Sequence, residues 1–294
     1  MDNRNTEATA IELILGCSLV IAALVVTALI VRLLTTAVPL FERMVIPSVL
    51  AQGAARTLVA VFAHADDEGA AAPILARYAR DGAHVAVIIA TDGAQGGAHT
   101  SIPRGPELAR VRNEEARCAA DALGIDPPIL LGFADGQLGN YVEDRSRLPR
   151  LTMRLQDELQ RLRPDALITW GPDGGTGHPD HRIVSSIVTQ LVRAGAPGTT
   201  ERLFYVSLPA EGVRTMNPGG GEVSSLLPAP KHFSARISFS TTDFEAARRS
   251  MACHKTQYSA EIVERVSAAT RDALKGELAL SPWFPAASTT DLFR

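Results

Sequence analysis

The sequence predicts an α/β fold in which a parallel sheet is covered by helices on both faces, preceded by one N-terminal transmembrane helix. Short, nearly continuous apolar runs alternate with helix-like segments, which is typical of strands buried on both faces of a sheet. Two of the predicted helices are followed at once by glycine, a common C-terminal stop signal. The membrane helix is indicated by residues 13–31, nineteen positions without a charge.

The N-terminal part is predicted to form three segments ahead of one folded domain. We expect a disordered stretch at 1–10, a transmembrane anchor at 11–34, a juxtamembrane linker at 35–55 and the folded domain at 56–294. Nineteen helical residues measure about 28 Å, close to the hydrocarbon thickness of about 30 Å. A cleaved signal peptide is the alternative, but the preceding residues are not basic. Arginines are more frequent after the span, which favours a single-pass membrane protein with a cytoplasmic domain.

The folded domain is predicted to contain five strands connected by helices and loops. The predicted strands are 57–63, 84–90, 128–132, 166–170 and 203–206, and the predicted helices are 69–81, 107–123, 148–162 and 182–193. Residues 243–278 are predicted to form one or two further helices. This alternation predicts a Rossmann-like sheet with the strand order 3-2-1-4-5, in which strands one and four are neighbours at the topological switch point.

The charge of the chain argues against nucleic-acid binding, and its few cysteines argue against a disulfide-rich fold. The net charge is −3, and no concentrated basic surface of the kind that binds nucleic acid is visible in the chain. The three cysteines, Cys17, Cys118 and Cys253, are scattered and form no CxxC pair. We therefore expect no disulfide framework and interpret all three as small buried apolar side chains.

An apolar run ends abruptly in a polar cluster at the end of the first predicted strand. Residues 59–63 are followed by His64, Asp66, Asp67 and Glu68, three of them acidic. Carboxylates this close repel one another and lose hydration in a pocket, so a divalent cation would resolve the conflict. His64 and Asp67 offer one nitrogen and one oxygen ligand, a combination that suits zinc. Asp66 is then free to act as a general base.

A second cluster follows the fourth predicted strand. His178, Asp180 and His181 come shortly after the apolar run 166–170. Ligands of open α/β sheets bind beyond the carboxyl ends of the strands, at the switch point. Since strands one and four are predicted neighbours there, the fold alone brings the two clusters together.

Both clusters resemble the signatures of one enzyme family. Residues 63–68, Ala-His-Ala-Asp-Asp-Glu, resemble the AHPDDE signature of the PIG-L/LmbE-like family, and residues 178–181 match its HPDH. Ala65 stands where the family usually has proline, which loosens the loop but removes no ligand. The resemblance extends from about residue 57 to the C-terminus. It implies an LmbE-like fold and zinc-dependent removal of the acetyl group from N-acetylglucosamine-containing substrates.

The resemblance also implies roles for individual residues. The metal ligands would be His64, Asp67 and His181, holding one Zn²⁺ that acidifies a water molecule. Asp66 would take the proton of that water, which attacks the acetamide carbonyl. Protonated His178, its tautomer and pKa set by Asp180, would stabilise the oxyanion and later protonate the leaving amine.

Three further residues admit two interpretations each. Arg112 lies in a segment that resembles the family's Arg-x-x-Glu and would bind substrate; alternatively it pairs with Glu115 on a solvated helix face. His254 lies in a stretch resembling His-x-[Ser/Thr]-Gln and could line the pocket, although a structural role is favoured. Asp135 could contact the sugar, with a turn residue favoured.

The expected partners follow from this reading. They are an N-acetylated amino-sugar substrate, which could be lipid-linked, and the bilayer through the N-terminal helix. Three alternatives stay open: an amidase acting on a larger amide such as a thiol conjugate, a non-catalytic glycan-binding module, and a magnesium-dependent phosphotransferase. A binding module would be expected to lack a ligand or the base, and none is missing. Two histidine ligands disfavour magnesium.

Overall fold

A seven-stranded sheet forms the centre of the computed structural model, which describes residues 55–140, 142–175, 177–206, 232–284 and 288–294. The strands are β1 (Thr57–Phe62), β2 (His84–Thr91), β3 (Ile129–Phe133), β4 (Ala166–Trp170), β5 (Leu203–Val206), β6 (Ala235–Ser238) and β7 (Glu277–Pro282). They are short and rich in apolar side chains, and β1, β2, β4 and β5 are almost wholly buried. Strands of this kind need cover on both faces.

The helices begin and end at recognisable sequence signals. They are α1 (Ala72–Arg80), α2 (Pro106–Leu123), α3 (Arg147–Leu162), α4 (Pro179–Arg193), α5 (Thr241–Cys253) and α6 (Ala260–Leu274). Helix α2 starts at Pro106 and ends before Gly124, whose left-handed φ of 70° suits glycine. Helix α5 starts in a capping box, because Ser240 and Asp243 satisfy each other's backbone N–H groups.

The strand order confirms the predicted parallel sheet and extends it. The order is β3-β2-β1-β4-β5-β7-β6, so β1 and β4 are neighbours as predicted. Strands β1 to β5 pair in parallel, whereas β7 is antiparallel to both β5 and β6. The carboxyl ends of β1 and β4 therefore lie at the same edge of the sheet.

Helices cover both faces of the sheet, and β1 divides its side chains between them. Leu58, Ala60 and Phe62 point into a core formed with α1 and α2. Val59 and Val61 point into a second core with the leucines of α3 and the valines of α4. Burying one such side chain is worth about 1.5–3 kcal/mol, so the two cores fix the ends of β1 firmly.

The C-terminal prediction was only partly right. Residues 243–278 do not continue as helix, because α6 ends at Leu274 and the chain returns to the sheet as β7. Lys275 and Gly276 both have left-handed φ angles, which stop the helix and reverse the chain. Strand β6 was not predicted, since it has only four residues and exposes every second side chain.

The prediction of a transmembrane helix and of a single-pass membrane location requires correction. Within the part of the chain that the structure describes, no helix is both long enough and apolar enough to cross a bilayer. Even α2, with eighteen residues, carries charges such as Glu107, Arg110 and Glu114, because one side of it faces solvent. The predicted span at 11–34 itself lies outside the described residues. The location that rested on it is not retained.

The expectation of isolated cysteines is wrong for two of the three. Cys118 on α2 and Cys253 at the end of α5 form a disulfide, with Cα atoms 5.7 Å apart. The two residues are 135 positions apart in sequence, so spacing gave no hint of the pair. The bond ties α2 to the C-terminal end of α5. Cys17 lies outside the described residues.

Candidate functional site

The two polar clusters meet at the carboxyl edge of β1 and β4. His64 is the second residue after β1, while His178 and His181 lie at the start of α4, just beyond β4. His64 Nδ1 lies 3.0 Å from His181 Nε2, and both side chains are buried. The structure thus brings the two predicted histidine clusters together in one pocket.

Asp67 is held by the backbone of its own loop and faces His181. Its Oδ2 accepts hydrogen bonds from the backbone N–H groups of Ala63 and His64, at 3.1 and 2.9 Å. Its Oδ1 lies 3.1 Å from His181 Nε2. Burial alone would raise the pKa of the Asp67 carboxyl, but the charge and hydrogen bond of His181 hold it well below its usual range. Asp67 is therefore an anionic group aimed at the histidines.

The partners of the two histidines decide which ring nitrogens carry protons. His181 Nδ1 lies 2.8 Å from the carbonyl oxygen of Gly174, which can only accept, so Nδ1 carries a proton and, when the ring is neutral, Nε2 presents a lone pair. His64 Nε2 lies 3.1 Å from Asp135 Oδ1 and 3.4 Å from Asp180 Oδ2, so its proton faces these carboxylates. His64 Nδ1 is left facing His181.

Three electron-donating atoms therefore converge on one point. They are His64 Nδ1, His181 Nε2 and Asp67 Oδ1, and lone pairs so close repel unless a cation or a proton lies between them. The ligand atoms of His64, His178 and His181 also lie within 4.8 Å of one another. Two imidazole nitrogens and a carboxylate oxygen are typical ligands of catalytic zinc sites. Here His181 and Asp67 are each held by a further hydrogen bond, and carboxylates face the second ring nitrogen of His64. The residues present fit a divalent ion.

Asp66 lies beside these three residues, and its side chain points away from their converging atoms. Its backbone has a left-handed φ of 99°, a strained conformation for a residue other than glycine. The side chain points to Arg112 Nη2, 3.1 Å from Oδ1, and to the hydroxyl of Tyr258, 3.1 Å from Oδ2. Burial raises the pKa of the Asp66 carboxyl to about 6 in spite of the positive charge of Arg112. A carboxyl with this pKa can accept a proton near neutral pH.

Arg112 does not lie on a solvated helix face, which was one of its two interpretations. It is buried rather than on a solvated helix face, and its guanidinium donates to the carbonyl oxygens of Ala65 and Gly93 and to Asp66. A Cβ at Gly96 would overlap its Nη1, so the glycine-rich loop is shaped around the guanidinium. Arg112 therefore supports the loop that carries Asp66, and substrate binding by Arg112 stays a prediction.

Asp180 and His178 interact differently from the prediction. The carboxylate of Asp180 accepts from the backbone N–H groups of Gly136 and Leu138 and does not hold the ring of His178. Instead the backbone N–H of Asp180 donates to His178 Nδ1 at 3.2 Å. Burial and then the charges of His64 and His181 lower the pKa of His178, whereas the prediction was a raised pKa. A neutral His178 with its proton on Nε2 fits this geometry.

Asp135 and Tyr258 are site residues whose place the sequence did not reveal. Asp135 lies in a turn, as favoured from the sequence, and it is also buried, faces His64 and accepts from the backbone N–H of Gln95. Burial opposes ionisation, but its partner His64 lowers the pKa of Asp135 to about 2. Asp135 follows β3, so its place at a carboxyl strand end was the available signal. Tyr258 had no such signal.

His254 does not line the pocket surface. Its side chain is buried, and its Nε2 lies 2.5 Å from Glu68 Oε1. Burial lowers the pKa of His254, but the charge of Glu68 outweighs this and raises it above its ordinary value. The structural interpretation favoured from the sequence is therefore the one that its contacts support.

The segment of the chain that matches a known protein family contains both His-Asp clusters. Residues 59–192 match the family described as PIG-L: GlcNAc-PI de-N-acetylase. A protein of Catenulispora acidiphila named 1D-myo-inositol 2-acetamido-2-deoxy-alpha-D-glucopyranoside deacetylase 1 is 29% identical over 199 residues, covering 57% of this chain and 62% of that protein. The deacetylase of this name from Streptomyces griseus is 28% identical over 246 residues, covering 70% and 76%. The chain thus spans less than two thirds of the Catenulispora relative.

A solved structure shows that the fold is shared. N,N'-diacetylchitobiose deacetylase from Pyrococcus horikoshii aligns with a TM-score of 0.56 and 19% identity, covering 84% of this chain and 92% of that one. At this identity the likeness concerns the fold alone. The family match and the paired His-Asp clusters agree with the resemblance seen in the sequence. Residues 59–192 of this chain are thus similar to the PIG-L, GlcNAc-PI de-N-acetylase family over the segment that contains both clusters.

Proposed function

We propose that this chain is a metal-dependent hydrolase that removes the acetyl group from an N-acetylglucosamine-containing substrate. The observation that carries the proposal is the convergence of His64, His181 and Asp67, with the carboxylate of Asp66 beside them. Metal ligands next to a free base are what hydrolysis of an unactivated amide requires. The names of the relatives support an N-acetylated amino sugar as substrate.

Zinc is the ion that the donor set favours. His64, Asp67 and His181 would hold it through two nitrogens and one oxygen, and magnesium prefers oxygen ligands alone. When bound, such an ion supplies Lewis acidity to water and to the amide carbonyl. Asp135 and Asp180 would keep the proton of His64 on Nε2, which leaves Nδ1 free as a ligand.

The remaining residues divide the proton transfers between them. Asp66 accepts a proton from the water whose oxygen bonds to the acetamide carbon. His178 donates a hydrogen bond from Nε2 to the oxygen on which negative charge develops, since its Nδ1 already accepts from the backbone of Asp180. As the carbon–nitrogen bond breaks, Asp66 returns its proton to the amine. Acetate and the free amino sugar leave.

The substrate range is tested with a panel of amides. We expect acetate release from N-acetylglucosamine linked to inositol or to a second sugar, measured enzymatically with zinc-supplied protein. Lipid linkage has no support from the relatives and is not part of the proposal. Release from a larger thiol-conjugate amide alone would favour the amidase alternative. Binding of the sugars without acetate release would contradict the proposal in favour of a non-catalytic module.

A further inference from the structure

The five residues after α5 form a strap that contacts the loop of the candidate base. This strap, residues 254–258, is fastened by side chains at four of its positions. The contacts are His254 with Glu68, Thr256 with Glu115, Gln257 with the carbonyl oxygen of Gly96, and Tyr258 with Asp66. Three of these four partners lie on the two loops beyond β1 and β2, and Glu115 lies on α2. The strap therefore connects a distant part of the chain to the loop of the candidate base.

Tyr258 is the one strap residue that touches the candidate base. Its hydroxyl donates to Asp66 Oδ2 at 3.1 Å, and Arg112 Nη2 donates to Asp66 Oδ1 at the same distance. A carboxylate held at one oxygen can still turn about its terminal torsion, which has a broad and shallow energy profile. A second donor at the other oxygen removes that freedom. With both donors in place, the lone pairs that remain on Asp66 have fixed directions.

We propose that Tyr258 is a positioning residue that orients the carboxylate of Asp66 for proton transfer. The inference rests on the proposed function, in which Asp66 is the base. Proton transfer is sensitive to geometry, and a small misplacement of a base lowers the rate strongly. Tyr258 can hold its position because His254 and Thr256 of the strap are hydrogen-bonded to other parts of the fold. In addition, the Cys118–Cys253 disulfide fixes Cys253, the residue that directly precedes the strap.

The test removes the hydroxyl and keeps the ring. Tyr258→Phe should lower kcat about tenfold or more, the usual effect of losing a hydrogen bond to a charged group, while KM and bound zinc stay at the parental level. The matched control is Tyr205→Phe, which removes a hydroxyl bonded to Thr189 of α4 and should leave kcat unchanged. A parental kcat in Tyr258→Phe would overturn the proposal.

A double-mutant cycle shows whether Tyr258 acts through Asp66. In an Asp66→Asn background, Tyr258→Phe should lower kcat no further, because the orientation of an absent base no longer matters. An equal further loss in that background would overturn the proposal.

If the parent releases no acetate from any substrate, the proposed function fails. The same cycle on the free energy of unfolding still tests the Tyr258–Asp66 contact, and additive effects there would overturn it.

Discussion

Asp66 and Asp67 are adjacent residues of one type with different surroundings. Asp67 faces His181 and accepts two backbone N–H groups, and its pKa lies well below the usual range. Asp66 faces Arg112 and Tyr258, and burial raises its pKa to about 6. The left-handed backbone at Asp66 sends the two carboxylates in different directions. The different surroundings of the two carboxylates therefore depend on the strained backbone of Asp66.

Conservative substitutions at the two aspartates should separate base from ligand. Asp66→Asn should keep the bound ion and lower kcat by about 10²–10⁴-fold, because the amide cannot accept a proton. Asp67→Asn should instead lower ion occupancy, because a neutral amide replaces an anionic ligand. Elemental analysis and acetate release on the same samples check both. Equal loss of metal in the two variants would contradict the division of roles.

At the scale of elements, α5 organises the strap because both of its ends are fixed. Its N-terminus carries the capping box of Ser240 and Asp243, and Arg80 of α1 donates to Asp243 Oδ1 at 2.8 Å. Its C-terminal residue is bonded to α2 through the disulfide. The strap begins at the next residue, so its position follows from how α5 packs on α1 and α2.

The stabilisation by the Asp243 contacts should be complete above about pH 4 and should decline as the pH falls below that value. Burial raises the pKa of Asp243, but Arg80 and Ser240 outweigh this and lower it in the folded state. A lowered pKa means that the stabilisation is complete above the unfolded value of about 3.9 and is lost as pH falls through the folded value. Asp243→Asn should cost about 1–2 kcal/mol at pH 7 and progressively less in acid.

Urea unfolding of parent and variant from pH 7 to pH 3 measures that difference. The control, Glu107→Gln, removes an exposed ion pair with Arg110 and should change stability little at any pH. A cost for Asp243→Asn that grows on acidification would show that the sign of the shift is wrong.

The disulfide should contribute to stability and be visible by thiol counting. Since Cys118 and Cys253 are paired, the denatured chain should show two fewer free thiols before reduction than after it. Reduction should lower the stability of the parent by about 2–4 kcal/mol, since it releases a loop of 135 residues. The melting temperature of a Cys118→Ser, Cys253→Ser double variant should not respond to reductant. Equal thiol counts before and after reduction of the parent would contradict the bond.

At the scale of the whole molecule, the sequence predicted those site residues that closely follow the carboxyl ends of strands, such as His64. The order 3-2-1-4-5 placed His64 beside His181 because apolar strands and their polar ends are local patterns. Contacts between residues that are far apart in sequence leave no local pattern from which they could be predicted. Tyr258 meets Asp66 across 192 positions, and the partner of Asp180 proved to be a backbone amide pair, so neither could be inferred from spacing.

The most direct test of the account is a zinc titration of chelator-treated protein, with acetate release from N-acetylglucosaminyl-inositol as the readout. The account predicts no release without the ion and a linear return of activity that saturates near about one ion per chain. The His181→Ala variant should gain neither the ion nor the activity. Full acetate release by protein that elemental analysis shows to be free of divalent metal would contradict the account.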